Sequence, residues 1–294
     1  KDTKEQDAYR QYGITCMESG KYEDAVKAFQ NALGESIGHI GEKELDICFY
    51  KAKAQALDGK TKDALATYNA IIKYNKDARA YYLRGDLYMD MGEEKKGKAD
   101  FESAVQHGKK NYEIYIGIYE SLSRHEKKDE GQKYLSAAME IKGDKPEDEL
   151  YKGRISYLLG ENKDAISYLE KAKEHKQMLA SYYLGLAYDA NGDSDKAKKC
   201  IAEYIKSGVA TSYDLYELGM QEMQDGNYKN ALTYFNSGLE LEKVPNKQNL
   251  MKSAIAAYEY SGDFDSAKKM MKEYLKAYPD DEEAKHENTF LETR

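Results

Sequence analysis

The sequence predicts an all-α fold in which a pair of helices repeats along the chain. Glycine recurs at a nearly constant spacing, and small and large apolar residues follow each glycine in a fixed register. In addition, 33% of the residues are charged and only 3 are proline. This composition suits amphipathic helices that each bury one apolar stripe.

The recurring glycines mark the expected turns. They are Gly20, Gly59, Gly92, Gly160, Gly192, Gly226 and Gly262. The steps between them are 39, 33, 68, 32, 34 and 36 residues, and the long step covers two repeats because Glu126 fills the skipped place. Glycine ends a helix well because it adopts a left-handed backbone at little cost. We therefore expect each glycine to close the first helix of a pair.

Side-chain size also repeats around these turns. Five places after each turn lies a small residue: Ala25, Ala64, Gly97, Gly131, Ala165, Ala197, Ala231 and Ala267. Four places further lies a large apolar residue: Phe29, Tyr68, Phe101, Leu135, Leu169, Ile201, Phe235 and Met271. Seven places before the turn a small residue recurs, with Tyr119 and Ile255 as exceptions: Gly13, Ala52, Gly85, Gly153, Gly185 and Gly219. Residues at such spacings lie on one face of a helix. Small residues that face each other therefore let the two helices of a pair approach closely.

Two of the small residues weaken the expected helices. Gly97 and Gly131 lie inside second helices, where glycine costs about 1 kcal/mol relative to alanine. Glu126 also occupies a turn that favours glycine. The third and fourth repeats are therefore predicted to be the least stable part of the chain. The junction between Gly34 and Gly41 is longer than the others, and we expect an enlarged loop there.

This pattern resembles the tetratricopeptide repeat, a helix–turn–helix unit of about 34 residues. In the first repeat, the positions that carry the resemblance are Tyr9, Tyr12, Gly13, Ala25, Phe29 and Ala32. The resemblance implies an α-solenoid, coiled as a right-handed superhelix, of about eight repeats. Their expected ranges are 6–39, 45–78, 78–111, 112–145, 146–178, 178–211, 212–245 and 248–281. Residues 282–294 are expected to form a C-terminal capping helix, which would make residues 1–294 a single solenoid.

Charge argues against a nucleic-acid partner. The formal net charge is −8 and the isoelectric point is near 5.4, whereas nucleic-acid binding draws its affinity from clustered lysine and arginine. Acidic residues accompany the lysines nearly everywhere, as in the run from Glu93 to Lys96. We therefore interpret the charges as solvated helix faces and expect a protein or peptide partner.

The sequence lacks the usual signs of catalysis. It contains no phosphate-binding glycine loop, no dinucleotide-binding glycine motif and no zinc-protease motif. The five histidines are widely separated, and Cys16, Cys48 and Cys200 are too scattered for a disulfide framework or a zinc site. We predict that the protein is not an enzyme and that it uses no metal or cofactor.

Two features of the sequence bear on the compartment. No run of 18 apolar residues suggests a transmembrane helix. The chain starts at Lys1 rather than methionine, followed by a short polar segment. This start favours an exported or lipid-anchored protein whose N-terminal signal has been removed, with a cytoplasmic protein as the alternative.

The resemblance implies that the first helices line the inner surface, where a partner would bind. The residues expected to contact it are Phe49, Tyr82, Arg154, Tyr157, Tyr182, Tyr183, Leu186, Tyr213, Tyr216, Met220 and Met223. Repeats 5 to 7 are the richest in tyrosine and methionine, so we expect the main contact surface there, with Arg154 as a candidate charge contact. Tyrosine gives a large contact area at low entropic cost, and methionine adapts to irregular partners.

Two alternatives stay open at this point. The inner-face tyrosines could instead pack between repeats, because an error of one place in register would turn surface residues into core residues. The chain could also be a structural or self-associating assembly component with no peptide-binding function.

Overall fold

A computed structural model describes residues 3–35, 40–143 and 145–293 of the chain. Over these ranges the regular secondary structure consists entirely of α-helices, seventeen in number. They are α1 (Thr3–Glu18), α2 (Tyr22–Gly34), α3 (Glu42–Leu57), α4 (Thr61–Asn75), α5 (Ala78–Asp90), α6 (Glu94–His107), α7 (Tyr112–Arg124), α8 (Lys128–Met139), α9 (Pro146–Leu159), α10 (Asn162–Glu174), α11 (Leu179–Ala190), α12 (Ser194–Lys206), α13 (Ser212–Gln224), α14 (Tyr228–Leu239), α15 (Lys247–Tyr260), α16 (Phe264–Ala277) and α17 (Glu282–Glu292).

The helices pair in chain order, from α1–α2 in the first repeat to α15–α16 in the eighth. In the sixth repeat the contact is made by Gly185 of α11, where a Cβ atom would lie 2.4 Å from Cδ1 of Ile201 on α12. The predicted all-α solenoid of helix pairs is therefore confirmed. The chain divides into two compact units, Lys1–Tyr204 and Ile205–Arg294, whereas a single solenoid over residues 1–294 stays a prediction. The expected enlarged junction after Gly34 includes residues 36–39, which lie outside the described residues.

Backbone conformation explains the recurring glycines. All seven have a positive φ, between 71° and 82°, and each follows the first helix of its pair. Glu126 occupies the corresponding place in the fourth repeat with φ 61°. A left-handed backbone costs a residue with a side chain about 1–2 kcal/mol, so this turn is strained where the other repeats have glycine.

The small residues lie where the two helices of a pair touch. A Cβ atom on Gly13 would lie 2.6 Å from Cε1 of Phe29. A Cβ atom on Gly97 would lie 2.9 Å from the carbonyl oxygen of Gly85 and 2.8 Å from Sδ of Met89. Alanine at Gly97 would therefore clash with the facing helix, and glycine is required there despite its poor helix propensity.

Within each compact unit, the apolar core runs between successive helices and links one pair to the next. Phe29, Phe101 and Leu169 on second helices are completely buried. Phe29 shares its cluster with Ile47 of α3, a residue of the following repeat. Within each compact unit, second helices contact the first helix of the next repeat, as stacking of repeats requires.

The last helix, α17, covers the end of the eighth repeat. The Asp281 carboxylate accepts a hydrogen bond from the backbone N–H of Ala284 at 3.1 Å and so caps α17. Ala284 and Leu291 are buried against α15 and α16. Phe290 of the same helix is 43% exposed. Among the helices described, none is both long and apolar enough to cross a membrane.

Candidate partner-binding surface

Tyr182, Tyr183 and Leu186 form a partly exposed patch on α11, in the first compact unit. The rings of Tyr182 and Tyr183 meet edge to face, with centroids 5.1 Å apart. Tyr182 also lies 5.3 Å from the ring of Tyr204. Tyr183 packs on a core cluster that includes Leu169, and all three patch residues are half-buried. The patch therefore rests on the core on one side while part of its apolar area stays accessible.

Arg154 of α9 lies beside this patch, but its charge is already balanced. Its guanidinium carbon is 5.5 Å from the ring centroid of Tyr183. Its Nη2 donates to Oε1 of Glu120 at 3.0 Å, and its Nη1 lies 3.3 Å from Oε2 of Glu113. Only 18% of its side chain is exposed. Arg154 thus links α7, α9 and α11, and it would have to exchange partners in order to bind a ligand carboxylate.

Tyr157 and Tyr82 are half-buried phenols on first helices of the same unit. Tyr157 packs against the cluster that also supports Tyr183. Burial, followed by the charge of Asp189, raises the pKa of Tyr157. Burial, followed by the charge of Asp86, raises the pKa of Tyr82. Both phenols therefore stay protonated at neutral pH.

Tyr82 lies directly against the backbone of the next first helix. A Cβ atom on Gly117 of α7 would lie 2.6 Å from Cζ and 2.7 Å from the hydroxyl oxygen of Tyr82. Glycine at this position therefore makes room for the ring. Tyr82, Arg79, Glu113 and Glu120 line a small cavity of about 220 Å³ between α5 and α7.

Phe49 differs from the expectation. It is only 6% exposed and packs with Tyr68, Ile71 and other core residues. The guanidinium of Arg79 lies 4.4 Å from the centroid of its ring. Phe49 is therefore a packing residue covered by Arg79, because this position of α3 faces α5 rather than open solvent.

The remaining predicted residues lie on α13, in the second compact unit. Tyr213, in the first turn of α13, is 55% exposed. Tyr216 lies 6.2 Å from the ring of Phe235, and Met220 and Met223 pack on the same core cluster. Tyr213 is thus the most exposed of these four residues, and the other three are half-buried.

The predicted residues of repeats 5 to 7 therefore form two groups, one in each compact unit. In the first, Arg154 and Tyr182 both contact Tyr183, and Tyr157 shares its cluster. In the second, Tyr216, Met220 and Met223 share a cluster.

Ion pairs between neighbouring first helices were missed in the sequence. Nη2 of Arg10 on α1 lies 2.5 Å from Asp46 on α3, and Nη2 of Arg124 on α7 lies 2.6 Å from Asp86 on α5. The partners are 36 and 38 residues apart, close to one repeat. A search for opposite charges one repeat apart would have found them.

The described residues have two features that bear on catalysis. They contain no group of three or more histidine, cysteine or acidic side chains that could hold a metal ion. Burial raises the pKa of the Cys48 thiol and that of the Cys200 thiol, which lowers the thiolate fraction needed for nucleophilic attack.

Comparisons with known proteins identify the family. Family models described as tetratricopeptide repeat match residues 13–72, 78–106, 179–207 and 248–281. A tetratricopeptide repeat protein from Parabacteroides merdae is 12% identical with a TM-score of 0.50, and the match covers 86% of this chain and 99% of that one.

Two further solved structures are similar at lower scores. The APC/C hetero-tetramer Cut9–Hcn1 matches at 15% identity and a TM-score of 0.47, over 95% of this chain and 54% of that chain. PilW, a type IV pilus biogenesis factor, matches at 16% identity and a TM-score of 0.46, over 84% of this chain and 99% of that chain. A search of curated proteins found no match. The family models, together with the repeated helix pairs, show that this chain belongs to the tetratricopeptide-repeat proteins.

Proposed function

We propose that this chain binds a protein partner through the first-helix faces of repeats 5 to 7. Tetratricopeptide repeats support a role as a protein-interaction scaffold in general. The partner would be an extended or helical peptide segment, or a folded protein that presents one. The proposal assigns binding rather than catalysis, and the described residues include no group of three or more histidine, cysteine or acidic side chains that could hold a metal ion.

The observation that carries the proposal is the exposure of tyrosine on these faces. Tyr213 is 55% exposed on α13, and Tyr182 and Tyr183 keep part of their rings accessible on α11. Each ring is held by a helix and loses little freedom when it is covered, which favours binding. Met220 and Met223 next to Tyr216 would let the surface fit an irregular partner.

The test uses peptides selected from a random display library for binding to the wild-type protein. Their affinity is then measured for a Tyr182→Ser, Tyr213→Ser double variant. Loss of one central aromatic contact costs about 2 kcal/mol or more, so we expect at least about a 30-fold weaker complex. Circular dichroism should show unchanged helix content, since neither residue is fully buried.

A Tyr74→Ser variant provides a matched control. Tyr74 is 53% exposed and lies on the second helix α4, so its replacement should leave peptide affinity unchanged. Equal affinity of the double variant and the wild type would contradict the proposal. If light scattering showed a concentration-independent dimer that the double variant abolishes, the structural, self-associating alternative would be favoured instead.

A further inference from the structure

Arg79 is the exception among the five described arginines, because it alone has no carboxylate partner among the described residues. The other four pair with an acidic residue on a neighbouring helix: Arg10 with Asp46, Arg84 with Asp100, Arg124 with Asp86, and Arg154 with Glu113 and Glu120. The charge of Arg79 is therefore uncompensated, whereas the other described arginines are paired.

The position of Arg79 is nevertheless well defined. Its guanidinium carbon lies 4.4 Å from the centroid of the Phe49 ring, within the range of a cation–π contact. Phe49 is 6% exposed and cannot move without disturbing the core. A guanidinium that is stacked on a ring keeps its N–H donors at its edges, and this fork matches the two oxygens of a carboxylate.

Two acidic residues about one repeat from Arg79 are already engaged. Asp46 and Glu113 lie about one repeat before and after Arg79 in the sequence. Asp46 accepts two hydrogen bonds from Arg10, at 2.8 and 2.5 Å, and Glu113 binds Arg154. Asp46 and Glu113 are therefore not available to Arg79, and its guanidinium can bind a carboxylate from a partner.

Arg79 also lines a cavity of about 840 Å³ between α3, the start of α5 and the segment that joins α6 to α7. Lys109 and Lys110, both exposed, lie on the rim of this cavity. Neither lysine has a carboxylate partner among the described residues. Three cations thus face one open space.

The acidic residues of the same cavity do not balance these cations. Asp46 is bound by Arg10, and the Asp77 carboxylate accepts hydrogen bonds from the backbone N–H groups at the start of α5. Glu42 and Asp77 have no cationic partner there among the described side chains. Three cations therefore face two carboxylates that no cation pairs with, and this excess of positive charge favours an acidic ligand.

We propose that this cavity binds an aspartate or glutamate side chain of a partner protein segment. Arg79 would form the bidentate contact, and Lys109 and Lys110 would add flanking positive charge. The inference rests on the proposed function in taking a protein segment as the occupant. It uses a different site, however, because its residues do not include the α11 and α13 residues of the proposed function.

The experiment follows the Nε–Hε signals of the arginines by ¹H–¹⁵N NMR during titration with a capped hexaglutamate peptide at low ionic strength. The Arg79 signal should shift in a saturable way. The Arg84 signal should stay in place, since its Nε donates to Asp100 at 2.7 Å. A capped hexaglutamine peptide should produce no shift. An Arg79→Gln variant should bind hexaglutamate about tenfold more weakly or worse, as expected for loss of a hydrogen bond to a charged group.

Three results would overturn the inference. One is an unmoved Arg79 signal at saturating peptide. Another is equal hexaglutamate affinity of the Arg79→Gln variant and the wild type, which would show that the lysines attract the peptide without Arg79. The third is binding of a phosphoserine peptide in the absence of hexaglutamate binding, because the ligand would then be a phosphate. Failure here would leave the Tyr182 and Tyr213 test untouched, and the reverse also holds.

Discussion

Arg84 and Arg79 lie on the same helix, α5, in opposite surroundings. Arg84 donates from Nε and Nη2 to the two oxygens of Asp100, at 2.7 and 2.6 Å, and Nη1 donates to Asn69. The Arg84 and Asp100 side chains are only 18% and 9% exposed. Arg79 is instead exposed, and its guanidinium lies over the ring of Phe49. Arg84 joins the two helices of its pair, whereas Arg79 is available to a partner. The difference arises because an acidic side chain pairs with Arg84 and none pairs with Arg79 among the described residues.

The largest effect is expected for Arg84→Ala. This change leaves the nearly buried Asp100 carboxylate without its partner, which costs about 3 kcal/mol of the free energy of unfolding. Urea unfolding at neutral pH measures the loss. An Arg84→Lys variant serves as the control and should lose less, because it keeps the positive charge. A loss under about 1 kcal/mol for Arg84→Ala would show that water solvates the Asp100 carboxylate in the variant. Arg84 would then not be the structural residue that the comparison with Arg79 requires.

A smaller effect is expected for Arg154→Ala. Glu113 and Glu120 are 54% and 48% exposed, so water can solvate both carboxylates after the change. We expect a loss of about 1 kcal/mol, part of it from the contact with Tyr183. Double-mutant cycles with Glu120→Gln would measure the coupling. Absence of coupling would contradict the role of Arg154 as a link between α7 and α9.

The smallest effect on stability is expected for Arg79→Ala, at about 0.5 kcal/mol, since only an exposed cation–π contact is lost. The same variant should lose hexaglutamate binding, whereas Arg124→Ala should retain it. A stability loss as large as that of Arg84→Ala would identify Arg79 as a structural residue and would remove the distinction between the two arginines.

The fold was predictable because its rules are local. A turn that needs a positive φ selects glycine, and a close crossing selects small residues, so both leave a periodic mark in the sequence. The fourth repeat breaks the pattern with Tyr119 at a small position. A Cβ atom on Gly131 would lie 3.0 Å from Cδ2 and 3.1 Å from Cα of Tyr119. The large residue on α7 is thus accommodated by glycine on α8, a compensation that becomes clear only when the two helices are seen together.

The candidate site was predictable only in part. Periodicity placed Tyr182, Tyr183 and Tyr213 on first helices, where they retain exposed area. It could not show that Phe49 is covered, because that depends on where the Arg79 side chain lies. Nor could it show that Arg154 is neutralised, since Glu113 and Glu120 belong to another repeat. Side-chain pairing between helices about one repeat apart depends on how the helices stack, and the sequence of a single repeat does not specify it.

The most direct test of the account is photo-crosslinking of a library-selected peptide. A benzophenone amino acid is placed at Leu186 on α11, at Tyr213 on α13, or at the exposed Tyr74 on α4. The account predicts strong crosslinks from the two first-helix positions and none above background from Tyr74. Crosslinks from Tyr74 alone, or equal yields from all three positions, would contradict the claim that the first-helix faces bind the partner.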